Sequence, residues 1–456
     1  MENAITGWKR NILTDLIVYR TCIITLNINK TECLLLHENS SSTEALKIDA
    51  QVQPKASLIL MTKSIIESVI PAFLSLFLGP WSDIYGRKSI MLPGYTCIQC
   101  MIYVIGTSLM YLFLSFMSVW DVNPWFLLIA YIPYACCGGF GIILLGTICY
   151  LTDISNEQER GWQLAWMEAL ISVGILTGIL IGPVIFRAYG YTVVFTIATI
   201  CCIVAGLHIF FLVPETICST NSVCIFLFDI HLVRKLISTC TTKRNGFDRY
   251  IVWCCIACII LMVIALQGDM TIGFLFASAR LGWDVNKYSI YLATNIIFSI
   301  LGIIFGVKLF YVHQIFLQRL SEEVTAILSL LSSLSSCLVH SFTLKPWHMY
   351  LSAVVGMFGG ITSPMIRAII SKSVPSEDTG KIFSMTVSIE TLTPLVAAPL
   401  YNLIYLHFMP PIYPLPVWLV SVGIYVIVIL ILINIQIQNA RAIRYTSLRQ
   451  NNELSS

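Results

Sequence analysis

The chain has 456 residues, of which 57% are hydrophobic and only 11% charged, and its mean hydropathy is +0.82. A soluble protein carries about 25% charged residues, so this chain has too little polar surface to fold in water, which excludes a soluble enzyme and a disordered scaffold. Its 27 Lys and Arg against 24 Asp and Glu leave a net charge of +3, too small a field to hold nucleic acid.

The remaining solvent is lipid, and a spanning helix needs about 20 mainly apolar residues. The first candidate, 11–28, is short and carries Asp15 and Arg20, so it reads as a partial first span. A polar loop, 29–56, follows with two Asn-x-Ser/Thr sequons, Asn29-Lys30-Thr31 and Asn39-Ser40-Ser41. Their coincidence in one loop places it on the luminal or external side, with Asn29 and Asn39 as glycan acceptors. Eleven full spans then read 57–78, 89–115, 125–150, 162–184, 192–213, 250–273, 288–311, 324–343, 348–370, 382–406 and 417–437. The runs are long and continuous, unlike the short alternating strands of a barrel. The expected fold class is therefore an all-α polytopic membrane protein.

Positive charge tests the orientation, because Lys and Arg accumulate in cytosolic loops. With 29–56 outside, the inside segments hold sixteen of the 27 positives and the outside segments seven. The C-terminus is then cytosolic. The longest inside loop, 214–249, divides the chain into an N-terminal bundle (1–213) and a C-terminal bundle (250–437), with a cytosolic tail at 438–456. Six spans on each side is the layout of two-bundle transporters built from repeats. The inside loops Asn156–Gly161 and Pro375–Gly380 are acidic, end in Gly and hold corresponding places in the two halves.

Most of the 16 cysteines lie in spans and act as small apolar residues. Cys33 is the one clearly in an outside loop, and no disulfide framework follows. The adjacent pairs Cys136-Cys137, Cys201-Cys202 and Cys254-Cys255 do not have metal-ligand spacing. No HExxH, GxS elbow or GxxxxGK[ST] loop appears, so neither an intramembrane enzyme nor ATP-driven transport is expected, and no metal or cofactor.

Several charges remain inside spans. Glu168 lies in mid-span, where insertion of an ionised carboxylate costs about 2.5–3.5 kcal/mol. A Glu that is alternately charged and neutral, and alternately open to each side, can carry a proton; the other reading is a helix cap or a buried ion pair. Arg367 follows Pro364, which removes a backbone donor. Its guanidinium suits a carboxylate, unless it snorkels to the inner interface. Lys63 and Glu67 stand four apart on one helix face and read as a structural pair. Asp269 reads as an outer-gate residue or a helix end, Glu390 has no assigned role, and His208 and His340 read as packing residues.

The inside segment Gly79-Pro-Trp-Ser-Asp83-Ile-Tyr-Gly86-Arg87-Lys88 has glycines suited to a tight reversal and an Asp83 that can cap a helix and pair with Arg87. It resembles the signature loop of the major facilitator superfamily. Tyr150-Leu-Thr-Asp-Ile-Ser155, Trp166-Met-Glu-Ala169, Val213-Pro-Glu-Thr216, Thr362-Ser-Pro-Met-Ile-Arg-Ala368 and Ser371-Lys372 narrow the match. Together they resemble the proton-coupled folate transporter family, solute carrier family 46, in its insect-type members, over about 12–437.

The resemblance implies two six-helix bundles rocking about a central site. It implies proton coupling at Glu168 and a substrate or charge partner at Arg367. Asp153, Glu159 and Arg160 have the composition to latch against the Asp83 loop. Leu13–Cys22 matches the outer end of the relatives' first helix, with the inner half missing. Gly282 stands where relatives have an external cysteine, so Cys33 lacks that partner. Val263–Gln267 lacks a histidine that the folate transporter carries. The expected function is a secondary transporter of a small organic solute, with an organic anion or a folate-like compound as candidates, coupled to protons, in the plasma membrane or an endosomal or lysosomal membrane. The competing function is a non-transporting receptor or assembly partner that retains the fold.

Overall fold

The computed structural model describes residues 12–30, 32–33, 43–85, 98–156, 159–212, 234, 236, 238, 248–283, 285–316, 321–375, 378–408 and 416–454. Every regular element among them is helical. The first half holds α1 (Ile12–Arg20), α2 (Thr43–Tyr85), α3 (Ile98–Val119), α4 (Tyr131–Cys136), α5 (Gly139–Ile154) and α6 (Arg160–Leu212). The second half holds α7 (Arg249–Leu281), α8 (Val285–Phe316), α9 (Glu322–Ser341), α10 (Pro346–Val355), α11 (Thr362–Lys372), α12 (Thr379–His407) and α13 (Pro416–Leu454).

Nine of the described helical stretches are long and apolar enough to cross a membrane. One of them, Arg160–Phe211, has 52 residues and is two spans. Its arms meet at Gly190, whose φ of 77° lies in the left-handed region that a side chain disfavours. The spans read at 162–184 and 192–213 are these two arms. Tyr103–Val119 is a shorter apolar helix, and the start of the span read at 89–115 lies outside the described residues. Leu16–Thr25 is likewise a shorter apolar helix, and the residues before Ile12 lie outside those described.

Helix ends depart from the hydropathy reading in three places. α2 begins at Thr43, so much of the loop read at 29–56 is helix. α2 also runs through Gly79 and Asp83 to Tyr85, so the reversal read at Gly79 is not there; Gly86, Arg87 and Lys88 lie outside the described residues. At the other end, α13 carries the tail on as helix to Leu454. Hydropathy marks where lipid begins and ends, whereas a helix continues as long as its backbone bonds do.

The break between α10 and α11 shapes the site. A 3-10 turn, Met357–Ile361, interrupts the span there. Gly356, Gly359 and Gly360 weaken the helix, and Pro364 lacks an N–H. Carbonyls freed in a membrane need new donors. The serine stripe of α9 supplies them: Ser332 donates to the Val355 carbonyl at 2.6 Å and Ser329 to the Phe358 carbonyl at 2.7 Å. α8 comes close because position 302 is glycine; a Cβ there would sit 1.9 Å from the Met357 carbonyl oxygen.

Three apolar clusters account for most of the core. One joins both halves and includes Leu145, Ile148, Leu164, Ile256, Ile366 and Phe383. With the orientation read from the charge bias, all of its members lie toward the inner ends of their helices. The other two lie toward the outer ends and stay within one half each. Leu16, Ile59, Leu114 and Leu127 belong to the first. Ile272, Phe276, Tyr401 and Trp418 belong to the second.

Candidate functional site

At the upper edge of the shared inner core, α6, α11 and α12 bring four polar side chains together. Arg367 of α11 is only 1% exposed. Its Nη2 donates to both carboxylate oxygens of Glu390 on α12, each at 2.9 Å. Its Nε donates to Ser363 Oγ, one turn back, at 3.3 Å. Ser363 in turn donates to Glu168 Oε1 on α6 at 3.4 Å. The cluster thus bridges the two halves of the chain. A buried guanidinium is tolerable when a carboxylate neutralises it and other groups take its remaining donors. Here one donor group is left over: Nη1 is buried and has no hydrogen-bond partner.

The sequence singled out Arg367 and Glu168 but did not give their connection. Glu390 is Arg367's ion-pair partner, and Ser363 links the pair to Glu168. Snorkelling is ruled out for Arg367, because its head is buried and ion-paired. Ser363 lies in the Thr362-Ser-Pro motif and was legible only as part of it. Glu390 carried the weaker signal of a lone acid in an apolar span.

The inner contacts between the halves are small and polar. Ser75 and Ser388 hydroxyls are 2.5 Å apart, and Ser384 donates to the Ser75 carbonyl. Arg160 Nη1 donates to Ser371 Oγ at 3.1 Å. Arg160 was expected to pair with the Asp83 loop; it reaches α11 of the other half, and any contact with that loop lies outside the described residues. Glu159 and Asp153 are exposed beside it. The side chains of Gly79, Asp83, Gly86, Arg87 and Lys88 lie outside those described, so the latch expected there has no described geometry.

At the outer end, Cys22 and Cys33 form a disulfide. Cys33 lacks the partner that relatives have at the position of Gly282, but the expectation that no disulfide follows is corrected. Cys22 was read as an in-span residue, but the helix widens into a π turn at Thr21–Thr25 and the chain folds back over it. Arg20, also buried, donates to the carbonyls of Ser118 at 3.1 Å and Val122 at 3.3 Å. Asn29 is exposed on the same turn, and Asn39 lies outside the described residues. Lys63 and Glu67 pair at 2.7 Å, with the ammonium 4.9 Å from the Tyr131 ring centroid. Asp269 is not at a helix end, since α7 runs on to Leu281. Among the described residues no group of three or more His, Cys, Asp or Glu could hold a metal ion.

Comparison with known proteins places these features in context. The Major Facilitator Superfamily profile matches residues 56–398. The probable peptidoglycan muropeptide transporter SLC46 of Drosophila melanogaster is 26% identical over 88% of this chain and 77% of its own length. The proton-coupled folate transporter of Rattus norvegicus is 22% identical over 82% of this chain and 78% of its own length. Among solved structures, the human organic anion transporter MFSD10 (TETRAN) superposes with a TM-score of 0.65 at 13% identity, covering 94% of this chain and 98% of its own. The transporter FucP in its outward conformation superposes with a TM-score of 0.59 at 13% identity, covering 92% and 97%.

Proposed function

The chain belongs to the Major Facilitator Superfamily, is a multi-pass membrane transporter of that family, and from this premise we propose that it couples the movement of a small anionic organic solute to protons. The observation that carries the proposal is the buried Arg367 cluster between the halves. Two carboxylates, Glu168 and Glu390, share one guanidinium. When both are ionised, the cluster has one net negative charge in a low-dielectric site, where uncompensated charge is expensive. A solute carboxylate approaching the free Nη1 donor of Arg367 adds another. Binding becomes favourable when a cluster carboxyl takes up a proton, so solute and proton enter together. Ser363, between Glu168 and Arg367, gives Glu168 a view of the ion pair without a direct salt bridge.

The packing supports alternating access. The halves share a core at the inner end and have separate cores at the outer end. That arrangement fits an outward-facing state, with the Arg367 cluster at the floor of the opening. Releasing the inner contacts Arg160–Ser371 and Ser75–Ser388 is the step that exposes the cluster to the cytosol. The relatives favour a peptide-bearing solute such as a muropeptide, or a folate-like one. Plasma membrane or endosomal–lysosomal membrane suits either, and Asn29 is the exposed glycan acceptor.

The test is uptake of labelled muramyl peptide, folate and simple organic anions into proteoliposomes. An inward proton gradient is expected to drive accumulation of one of them. Glu168→Gln should abolish gradient-driven accumulation while leaving counterflow. Accumulation that ignores both the gradient and this substitution defeats the coupling; absence of counterflow for every compound supports a receptor that binds without translocating.

A further inference from the structure

A cavity of about 620 Å³ lies within the N-terminal half, between α3, α5 and the first arm of α6. Helix geometry shows which way it faces, because side chains three or four positions apart share one helix face. On α6, Gly161 lies against Met365 and Ala368, and Glu168 accepts from Ser363, so the stripe through 161 and 168 faces the C-terminal half. The cavity takes a different stripe, through Gln163, Met167 and Leu170. On α5, Gly141 lies against Val387 and Thr391, whereas Phe140, Leu144, Thr147, Leu151 and Ile154 line the cavity. The space therefore turns away from the joint between the halves and is separate from the Arg367 cluster.

Its depth follows from the same two helices. With the orientation read from the charge bias, Ile154 and Gln163 lie near the inner ends of their spans, and Phe140 and Ile171 toward mid-membrane. The wall runs 14 residues along α5 (154 − 140) and 8 along α6 (171 − 163), or about 21 and 12 Å at about 1.5 Å per residue. One leaflet of the roughly 30 Å hydrocarbon core is about 15 Å deep, so the cavity has the length of the inner leaflet. Phe140, Ile154, Trp166 and Leu170 on its wall are exposed, which leaves it open at membrane depth.

The walls select an occupant. Among the described residues no charged side chain lines the cavity, and Tyr103, Phe140 and Trp166 give it aromatic surface. The Thr147 hydroxyl is already spent on the Ile143 carbonyl, at 2.7 Å. Gln163 Oε1, at the inner end, is buried and has no hydrogen-bond partner. Arg160, one turn away, is turned toward Ser371 of the other half. A buried acceptor left unmet is costly. A charged solute would lose its hydration here without a counter-charge. A phospholipid chain fills apolar space but brings no donor and must give up its rotamer freedom. A sterol supplies both needs: a rigid apolar body with little freedom to lose, and one hydroxyl at the end that rests at the membrane interface. We propose that this cavity binds a sterol from the inner leaflet, its hydroxyl donating to Gln163 Oε1 and its rings lying against Tyr103, Phe140 and Trp166. The site goes beyond the transport reading and stands without it.

The test uses the purified chain in phosphatidylcholine nanodiscs titrated with cholesterol, with cholesteryl methyl ether, which has the same rings and no donor, as the control. Cholesterol is expected to raise the thermal unfolding midpoint saturably and at lower content than the ether. Gln163→Leu removes the acceptor and should weaken half-saturation by about three- to tenfold, the size of one net hydrogen bond, erasing the preference over the ether. Thr147→Trp fills the cavity and should abolish the response. Glu168→Gln should retain it, which separates this site from the proton-coupling reading. A cholesterol analogue with a photoreactive diazirine on its rings tests the unsubstituted chain, and decides the matter if the variants do not fold. Its label should map to α5 and α6 between 140 and 171 and be competed by excess cholesterol. Equal responses to cholesterol and the ether overturn the proposal. So does a Gln163→Leu protein that keeps the wild-type preference, or a label spread evenly over all the lipid-facing helices.

Discussion

The inner and outer ends of this molecule are built differently. At the inner end, one apolar cluster runs through both halves, and serines, glycines and Arg160 make the cross-contacts. At the outer end each half keeps its own core, and the first half is stitched by a disulfide and by Arg20. Small side chains let helices approach closely where lipid gives no hydrophobic drive for association. The outer end has the opposite design, because it is held within a half and not between halves.

Substitutions can break or sharpen this contrast. The largest effect is expected at the joint itself. Arg367→Met leaves Glu390 without its cation, which should abolish uptake and cost roughly 3 kcal/mol of stability. Adding Glu390→Gln should restore the unfolding midpoint but not uptake. A single variant as stable as the parent would show that the pair does not hold α11 to α12.

Next comes the inner seam. Ser75 and Ser388, with hydroxyls 2.5 Å apart, should cross-link under mild oxidation as Ser75→Cys with Ser388→Cys. The cross-linked protein should lose uptake and regain it on reduction. Failure to cross-link in nanodiscs would mean that the halves are not joined there.

A smaller effect is expected at the outer end. Cys22→Ser opens a bridge of sequence separation 11 and should cost roughly 2–4 kcal/mol by the usual behaviour of disulfides. Uptake at low temperature should persist, because this bridge ties one half to itself. Loss of uptake without loss of stability would assign the outer stitch a part in the transport cycle. The smallest effect belongs to Lys30→Ala. Its bridge to Asp121 is exposed, with side chains 63% and 67% accessible, and should be worth under about 1 kcal/mol. A thermal melt that separates it clearly from the parent would show that the outer loop is more rigid than its exposure suggests.

Much of this was legible in the sequence. Long apolar runs gave the spans because hydropathy is a local property, additive along the chain. Glu168 and Arg367 stood out because a charge in a span is rare and costly. Glu390 was equally visible as a residue but not as a partner, since it lies 23 positions from Arg367 on another helix. The Cys22–Cys33 bridge was missed because Cys22 looked like part of a span. The helix boundaries at Thr43 and Tyr85 were missed because polar helix and polar loop have similar composition.

The sequence by itself determined that this chain lives in lipid and the membership that its motifs announce, and its charge bias supplied an expected orientation. These follow from composition and short spacings, which do not need a partner elsewhere in the chain. Only the tertiary structure decided which charges meet. It joined Arg367 to Glu390 and set Ser363 between that pair and Glu168. The reason is geometric: contacts between helices depend on which faces converge, and that is settled by packing across the whole bundle rather than by any one segment.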